Sequence, residues 1–254
     1  MNSNKIFREA SKQSNADFAQ FSAVEKVFSI GSESIHDKLD AFPKYATKQS
    51  IAKFLTKYEI FKKIKNVNGS IIECGVLHGA GLMAWAKLSS IFEPANHTRR
   101  VYGFDTFEGV TSLTDKDTNT GESINFGEGK MEGSSYEELQ KVIELYDINR
   151  PLSHIPKIKL IKGDIVETAP KFLENHPHVV VSLLYLDLVI YKPTKVALEV
   201  FLPRMVKGSI IVFDELNADV YPGETLAVND VVGLRNLKIE RFDFDSYVSY
   251  AIIE

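Results

Sequence analysis

Residues 70–91, SIIECGVLHGAGLMAWAKLSSI, constrain the chain more than any other stretch. A short apolar run ends in Glu73; Gly75, Gly79 and Gly81 follow; then Leu82, Met83, Trp85, Ala86 and Leu88 recur at helical spacing. This order reads as a buried strand, a tight turn and a helix packed on a sheet. Glycines let the backbone approach a ligand closely, and the first turn of the helix leaves N–H groups without intrahelical partners. A phosphate, a carboxylate or an adenosine can use those donors. The spacing departs from G-x-G-x-x-G, because Leu77 stands where that pattern needs glycine. Glu73 ahead of Gly75 favours a nucleoside presenting hydroxyls and an amine over a pyrophosphate. Taken alone, the segment also fits a purely structural turn.

From Ser70 onward strands and helices alternate. The apolar runs predict strands at 70–74, 101–104, 158–161, 179–186 and 209–213, with helices at 81–92, 134–145, 166–175 and 193–202 between them. Repeated crossovers of this kind specify a mostly parallel sheet with helices on both faces. Residues 223–233 predict a further helix, and 237–242 with 247–253 a terminal strand pair joined by a short connection. Ahead of this lie two amphipathic stretches. One, 16–30, carries Phe18, Phe21, Val24, Val27 and Phe28 and is expected to lay that face on a partner surface. The other, 48–65, has Ile51, Phe54, Leu55, Tyr58, Phe61 and Ile64 expected inward. Residues 1–68 are too thin for a core of their own, so they read as a cap over the ligand edge or an oligomer contact on a main unit at 69–254.

Composition narrows the classes. The formal charge, 30 basic against 34 acidic residues, is −4, which argues against a surface built for nucleic-acid phosphates. The single cysteine, Cys74, allows no intramolecular disulfide and fits a reducing compartment; its place at a strand end favours burial over nucleophilic duty. No run approaches the roughly 18 apolar residues of a membrane span, and the N-terminus lacks an apolar signal region, so a cytoplasmic protein without membrane partners is expected.

The polar residues with chemical potential fall at strand ends. Glu73 and Asp105 follow the first two strands, and a carboxylate after the second can accept both hydroxyls of a ribose, a cap or turn role being the alternative. Asp164, after the third strand, suits either a nucleobase contact or a helix N-cap. Asp187 ends LLYLD, and Asp214 with Glu215 ends SIIVFDE. If those two strands are neighbours their ends lie about 5 Å apart, and three acids there repel unless a cation compensates. An all-oxygen set suits Mg²⁺ or another hard divalent ion. Asn217, Asn229 and Asp230 are further candidates for that shell, with turn and helix roles equally open. His78 lies in the glycine turn, and 97-HTRR-100 reads as a solvated connection whose Arg99 and Arg100 could also meet a phosphorylated substrate. The stretch 105–133 has no secure element, and 118–129 is a candidate either to close over a substrate or to be a surface insertion.

The phrases IIECGVLHGAG, YGFDTFEGV, IKGDIVETAP, LYLDLVIYKPT, GSIIVFDE and YPGETLAVNDV, in this order, resemble the metal-dependent sugar O-methyltransferases that modify deoxysugars of macrolide and aminocoumarin natural products. The resemblance runs from about residue 69 to the C-terminus. It implies a class I methyltransferase (Rossmann-like) fold, with a mostly parallel seven-stranded sheet and an N-terminal helical cap. The donor would be S-adenosyl-L-methionine, with Glu73, Gly75 and Gly79 shaping its pocket, Asp105 on its ribose and Asp164 near its adenine. Asp187, Asp214 and Glu215 fall where that family's magnesium-binding acids lie, and Asp187 would also receive the acceptor hydroxyl's proton. The acceptor would be a sugar or glycoside, and a homo-oligomer is expected. Two positions depart from the pattern. Val189 stands where a second acid is common, and Glu215 replaces the second Asp of an Asp-Asp pair. Other readings are a catechol or other vicinal-diol O-methyltransferase, an NAD-dependent oxidoreductase through the Asp105 ribose contact, and a non-catalytic nucleotide-binding protein.

Overall fold

A computed structural model describes residues 14–111, 113–117, 131 and 133–254. Three helices come first: α1 (Asn15–Ile30), α2 (Ile35–Asp40) and α3 (Lys48–Ile64). Then β1 (Ser70–Cys74), α4 (Ala80–Phe92), β2 (Val101–Asp105), α5 (Tyr136–Ile148), β3 (Ile158–Lys162), α6 (Ile165–Asn175), β4 (Val181–Leu186), α7 (Tyr191–Phe201) and β5 (Met205–Phe213) alternate. The chain closes with α8 (Pro222–Val231), β6 (Glu240–Arg241) and β7 (Ser249–Ile252). Among the described residues no helix is long and apolar enough to cross a membrane.

The strands form one seven-stranded sheet in the order β3-β2-β1-β4-β5-β7-β6. The first five are parallel, and β7 runs antiparallel to β5 and β6. Every residue of β1 and β4 is buried, which is why both read as unbroken apolar runs instead of alternating ones. Successive side chains go to opposite layers. Ile71, Leu183, Tyr185 and Val212 pack with Ile60, Phe61 and Ile64 of α3 and Trp85 of α4. Ile72, Cys74, Leu184, Leu186 and Phe213 pack with Phe172 of α6 and Leu198 and Phe201 of α7. The strand order reverses between β1 and β4, so the exits of these two strands diverge at one edge, the place where open α/β sheets hold ligands.

Two expectations change. The inward face of α3 is Thr56, Lys57, Ile60, Phe61 and Ile64, while Phe54 and Leu55 stay exposed. Helical periodicity counts apolar residues, whereas here Lys57 and Thr56 find polar partners, Tyr185 and Asp245, at the sheet. In α1, Phe21, Val27 and Phe28 are exposed. The 97–100 segment is no simple solvated connection. Arg99 is buried, donates through Nη1 to the Gly69 carbonyl and Ser182 Oγ and through Nη2 to the carbonyls of Ile64 and Val67, and its Nε pairs with Glu93 at 2.8 Å. It ties the end of α3 to the entrances of β1 and β4 and has no access to a substrate.

Lysine cannot reproduce that planar fork of donors. Arg99→Lys is therefore expected to cost ~3 kcal/mol or more in denaturant unfolding, because it takes the shared donor from the carbonyls of Gly69, Ile64 and Val67; a loss within experimental error would remove Arg99 from this role.

Candidate active site

The edge at which β1, β2, β4 and β5 end carries both candidate sites. Register places Cys74 opposite Phe104 and Leu186, and Leu186 opposite Phe213, so the residues that follow emerge side by side. Gly75 holds φ +91° and donates to the Phe104 carbonyl at 2.8 Å. A Cβ on it would overlap the Asp187 carbonyl oxygen, so only glycine lets the β1 exit run this close to the β4 exit. Gly79, at φ +77°, is the N-cap of α4.

Asp105 fastens this turn. Its Oδ2 accepts from the Val76 and Leu77 N–H groups at 2.7 and 2.9 Å, and its Oδ1 from Phe107 N–H at 2.8 Å. The turn role weighed for Asp105 is thus present, and the residue also lines a cleft beside Gly75, Asp164, Asp187 and Val189. Asp164 caps α6, its Oδ1 accepting from Val166 N–H at 2.9 Å, and faces the same cleft. Glu73 lies beneath the floor. It is 3% exposed, and a Cβ on Gly81 would overlap its carboxylate. Burial pushes the Glu73 carboxyl up to about 8, with Lys57 partly offsetting the effect.

Strain gathers at these exits. Leu77, Phe107, Val189 and Asn217, one after each of β1, β2, β4 and β5, hold φ between +50° and +66°. Val189 is the most costly because its branched Cβ crowds the backbone, and Ile190 N–H bonds back to the Leu188 carbonyl at 2.7 Å around it, forming a γ-turn. The turn packs Val189 against Val220 and Tyr221.

The acids come together as the strand-end argument requires. Carboxylate oxygens of Asp187, Asp214 and Glu215 all lie within 4.8 Å of one another. Asp214 is 1% exposed; its Oδ1 accepts from Tyr185 Oη at 2.6 Å and its Oδ2 pairs with Lys53 Nζ at 3.0 Å. Burial opposes its charge, but Lys53, Lys57 and the Tyr185 hydroxyl prevail and hold it below the usual carboxylate range. Glu215 goes the other way: burial, then Asp187, Asp214 and Glu224, push it well above that range.

Sequence reasoning missed the partners. Glu224, fully buried in the first turn of α8, accepts the Glu215 N–H at 3.0 Å, and Lys53, Lys57 and Tyr185 surround Asp214. A signal existed for the lysines, since positions 53, 57, 60 and 64 form one helical stripe that continues the apolar face of α3. Glu224 lies within the phrase YPGETLAVNDV, but that phrase alone does not mark it as buried or give its partner. Of the proposed additions, Asp230 pairs with Lys116 and Tyr191, and Asn217 and Asn229 are exposed. His78 is exposed, and the 118–129 stretch lies outside the described residues.

The model of the family described as macrocin O-methyltransferase (TylF) matches residues 47–250. The chain belongs to this family. It is an S-adenosylmethionine-dependent O-methyltransferase, which sets aside the oxidoreductase and non-catalytic readings. A search of curated protein sequences returns no match. Among solved structures, that of CalS11, a calicheamicin methyltransferase, is 28% identical with a TM-score of 0.88, covering 94% of this chain and 93% of that one. Its apo form, described as a TDP-rhamnose 3′-O-methyltransferase, is 27% identical with a TM-score of 0.81, covering 94% and 95%. The O-methyltransferase NovP, 19% identical with a TM-score of 0.61 over 80% of each chain, shares the fold.

The family's sheet edge makes Glu73 a pH-sensitive point. An acid whose folded value rises from 4.5 to about 8 binds more protons folded than unfolded, so its contribution to stability falls as pH climbs between those values. Glu73→Gln removes that slope. The melting temperature of the variant should gain on the native protein from pH 5.5 to pH 8 and run parallel above; a constant gap would show that Glu73 titrates normally.

Proposed function

We propose that this TylF-family methyltransferase moves the methyl of S-adenosylmethionine to a hydroxyl of a sugar or glycoside, with a divalent ion held by Asp187, Asp214 and Glu215. The observation that carries the reading is that Asp187 belongs to both sites. It lines the cleft beside Gly75 and Asp105, and it is one of the three clustered acids. A donor in the cleft and an acceptor at the acids would therefore meet at one residue.

The residues present suit a hard ion. The donor set is all oxygen, and Glu215 Oε2 is buried without a hydrogen-bond partner. A divalent ion bound there supplies Lewis acidity and orients vicinal substrate oxygens. The remaining work falls to the chain. The Asp105-anchored glycine turn would seat the nucleoside, Asp105 through its unused lone pairs on the ribose and Asp164 at the adenine, with Glu73 and Gly79 fixing the turn from below. Asp187 would take the acceptor's proton as the oxygen, methyl carbon and sulfur line up. The sugar acceptor follows from the family and from CalS11, whose description names a nucleotide sugar. The exposed Phe21, Val27 and Phe28 of α1 fit the homo-oligomer contact expected of the N-terminal segment.

Asp187→Asn tests the reading. The variant should still bind S-adenosylmethionine in calorimetry, yet lose methyl transfer to nucleotide-sugar and glycoside acceptors by about a hundredfold or more. Chelation of divalent ions should bring the native enzyme to the same floor. A folded Asp187→Asn protein with full metal-dependent turnover would overturn the assignment.

A further inference from the structure

Helix α3 does something unusual with its inward stripe. Ile60 and Ile64 are fully buried, but the same face, continued one and two turns toward the N-terminus, presents Lys57 and Lys53 to the sheet edge. Lys57 Nζ lies 3.3 Å from Tyr185 Oη and 4.6 Å from the centroid of its ring. Lys53 Nζ reaches further, to 3.0 Å from Asp214 Oδ2. Asp214, a proposed ligand, thus has a protein donor on each oxygen, Tyr185 on one and Lys53 on the other. Glu215 Oε2, in the same cluster, has none. Lys53 is also held differently from its partner: its side chain is 47% exposed, that of Asp214 2%. The acid is fixed and the lysine has solvent into which it can swing.

An ammonium and a divalent ion cannot both sit against Asp214 without repelling each other at short range. Resting on the metal-assisted reading above, we propose that Lys53 is a tethered competitor for the metal. It neutralises the carboxylate cluster when no ion is bound, and it leaves Asp214 when one enters. Metal loading is thereby coupled to the N-terminal half of α3. The affinity for the ion is weaker than the carboxylates alone would give, and an empty site keeps its acids compensated instead of mutually repelling. Lys57 stays in place, since Tyr185 stands between it and the acids.

The test uses the full chain with Mn²⁺ as the calorimetric probe and no methyl donor or acceptor. Lys53→Met should bind Mn²⁺ about tenfold more tightly than the native protein, while Lys53→Arg, which keeps the charge, should stay close to native. Amide exchange needs no variant: saturating Mg²⁺ should speed exchange in the first half of α3 in the native protein and leave the Ile60–Ile64 turn unchanged. Native-like or weaker Mn²⁺ binding by Lys53→Met, or α3 exchange indifferent to Mg²⁺ in a protein that binds it, would overturn the competitor role while the metal site stands. Absence of Mn²⁺ binding in the native protein, or binding that Asp187→Asn leaves intact, would remove the metal site itself and this inference with it.

Discussion

Mutual repulsion among carboxylates withdrawn from water is the constraint around which this protein is built. Asp187, Asp214 and Glu215 sit within 4.8 Å of one another, and Glu224 stands behind them with one oxygen on the Glu215 amide. Like charges so close in a poorly solvated place cannot all ionise uncompensated. The chain answers unevenly. Asp214 receives a phenol and a lysine and is held as a carboxylate, whereas Glu215 and Glu224 are driven toward the protonated form by burial and by their acidic neighbours. One acid is stabilised as an anion and two resist becoming so, a set whose remaining deficit is positive charge.

Topology explains why the acids meet there and nowhere else. Parallel strands all leave the sheet by the same edge, and the reversal between β1 and β4 opens a gap at that edge. A strand-end acid is carried to the gap whatever the helices on the two faces contribute. The close approach of exits then has a local cost. Gly75 must lack a Cβ to pass the Asp187 carbonyl, and Leu77, Phe107, Val189 and Asn217 adopt left-handed backbone that non-glycine residues resist. Such residues cost about 1–3 kcal/mol each and persist only where surrounding packing over-determines them. Here that packing is the pair of core layers on β1 and β4, whose residues are all buried. The interior holds the edge in a conformation the edge would not choose.

The same division governs what could be read from the amino-acid sequence. β1 and β4 were legible because burial on both faces makes an apolar run, and Asp105, Asp187 and Asp214 because an acid at a strand end stands out. Arg99 was not legible. Its environment is a ring of carbonyls from the end of α3 and the entrance to β1, with the Ser182 hydroxyl of β4, brought together only by the fold. Glu224 escaped for a similar reason: its partner is a backbone N–H nine residues earlier, and a glutamate in a first helical turn looks ordinary without it. Val189 is a sharper case. As a departure from a motif it reads as a missing acid, yet its φ of +66° is a conformation that Asp or Asn tolerates better than valine, so the strain shows only in the folded backbone.

Helix α3 shows where pattern-based reasoning must fail for a physical reason. Apolar periodicity assigned Phe54 and Leu55 inward, and the structure turns the helix so that Lys57 and Thr56 go in instead, with Lys53 half-exposed at the sheet edge. The polar partners lie on that side: Lys57 donates to Tyr185, Thr56 to Asp245, and Lys53 pairs with Asp214. Local preference and global fold disagree at this point because the site imposes its own demand. Ile60, Phe61 and Ile64 then anchor the other end of the same helix in the core shared with β1 and α4. The helix that packs the interior is also the helix that supplies charge to the chemistry, so its orientation cannot be altered for one purpose without being felt in the other.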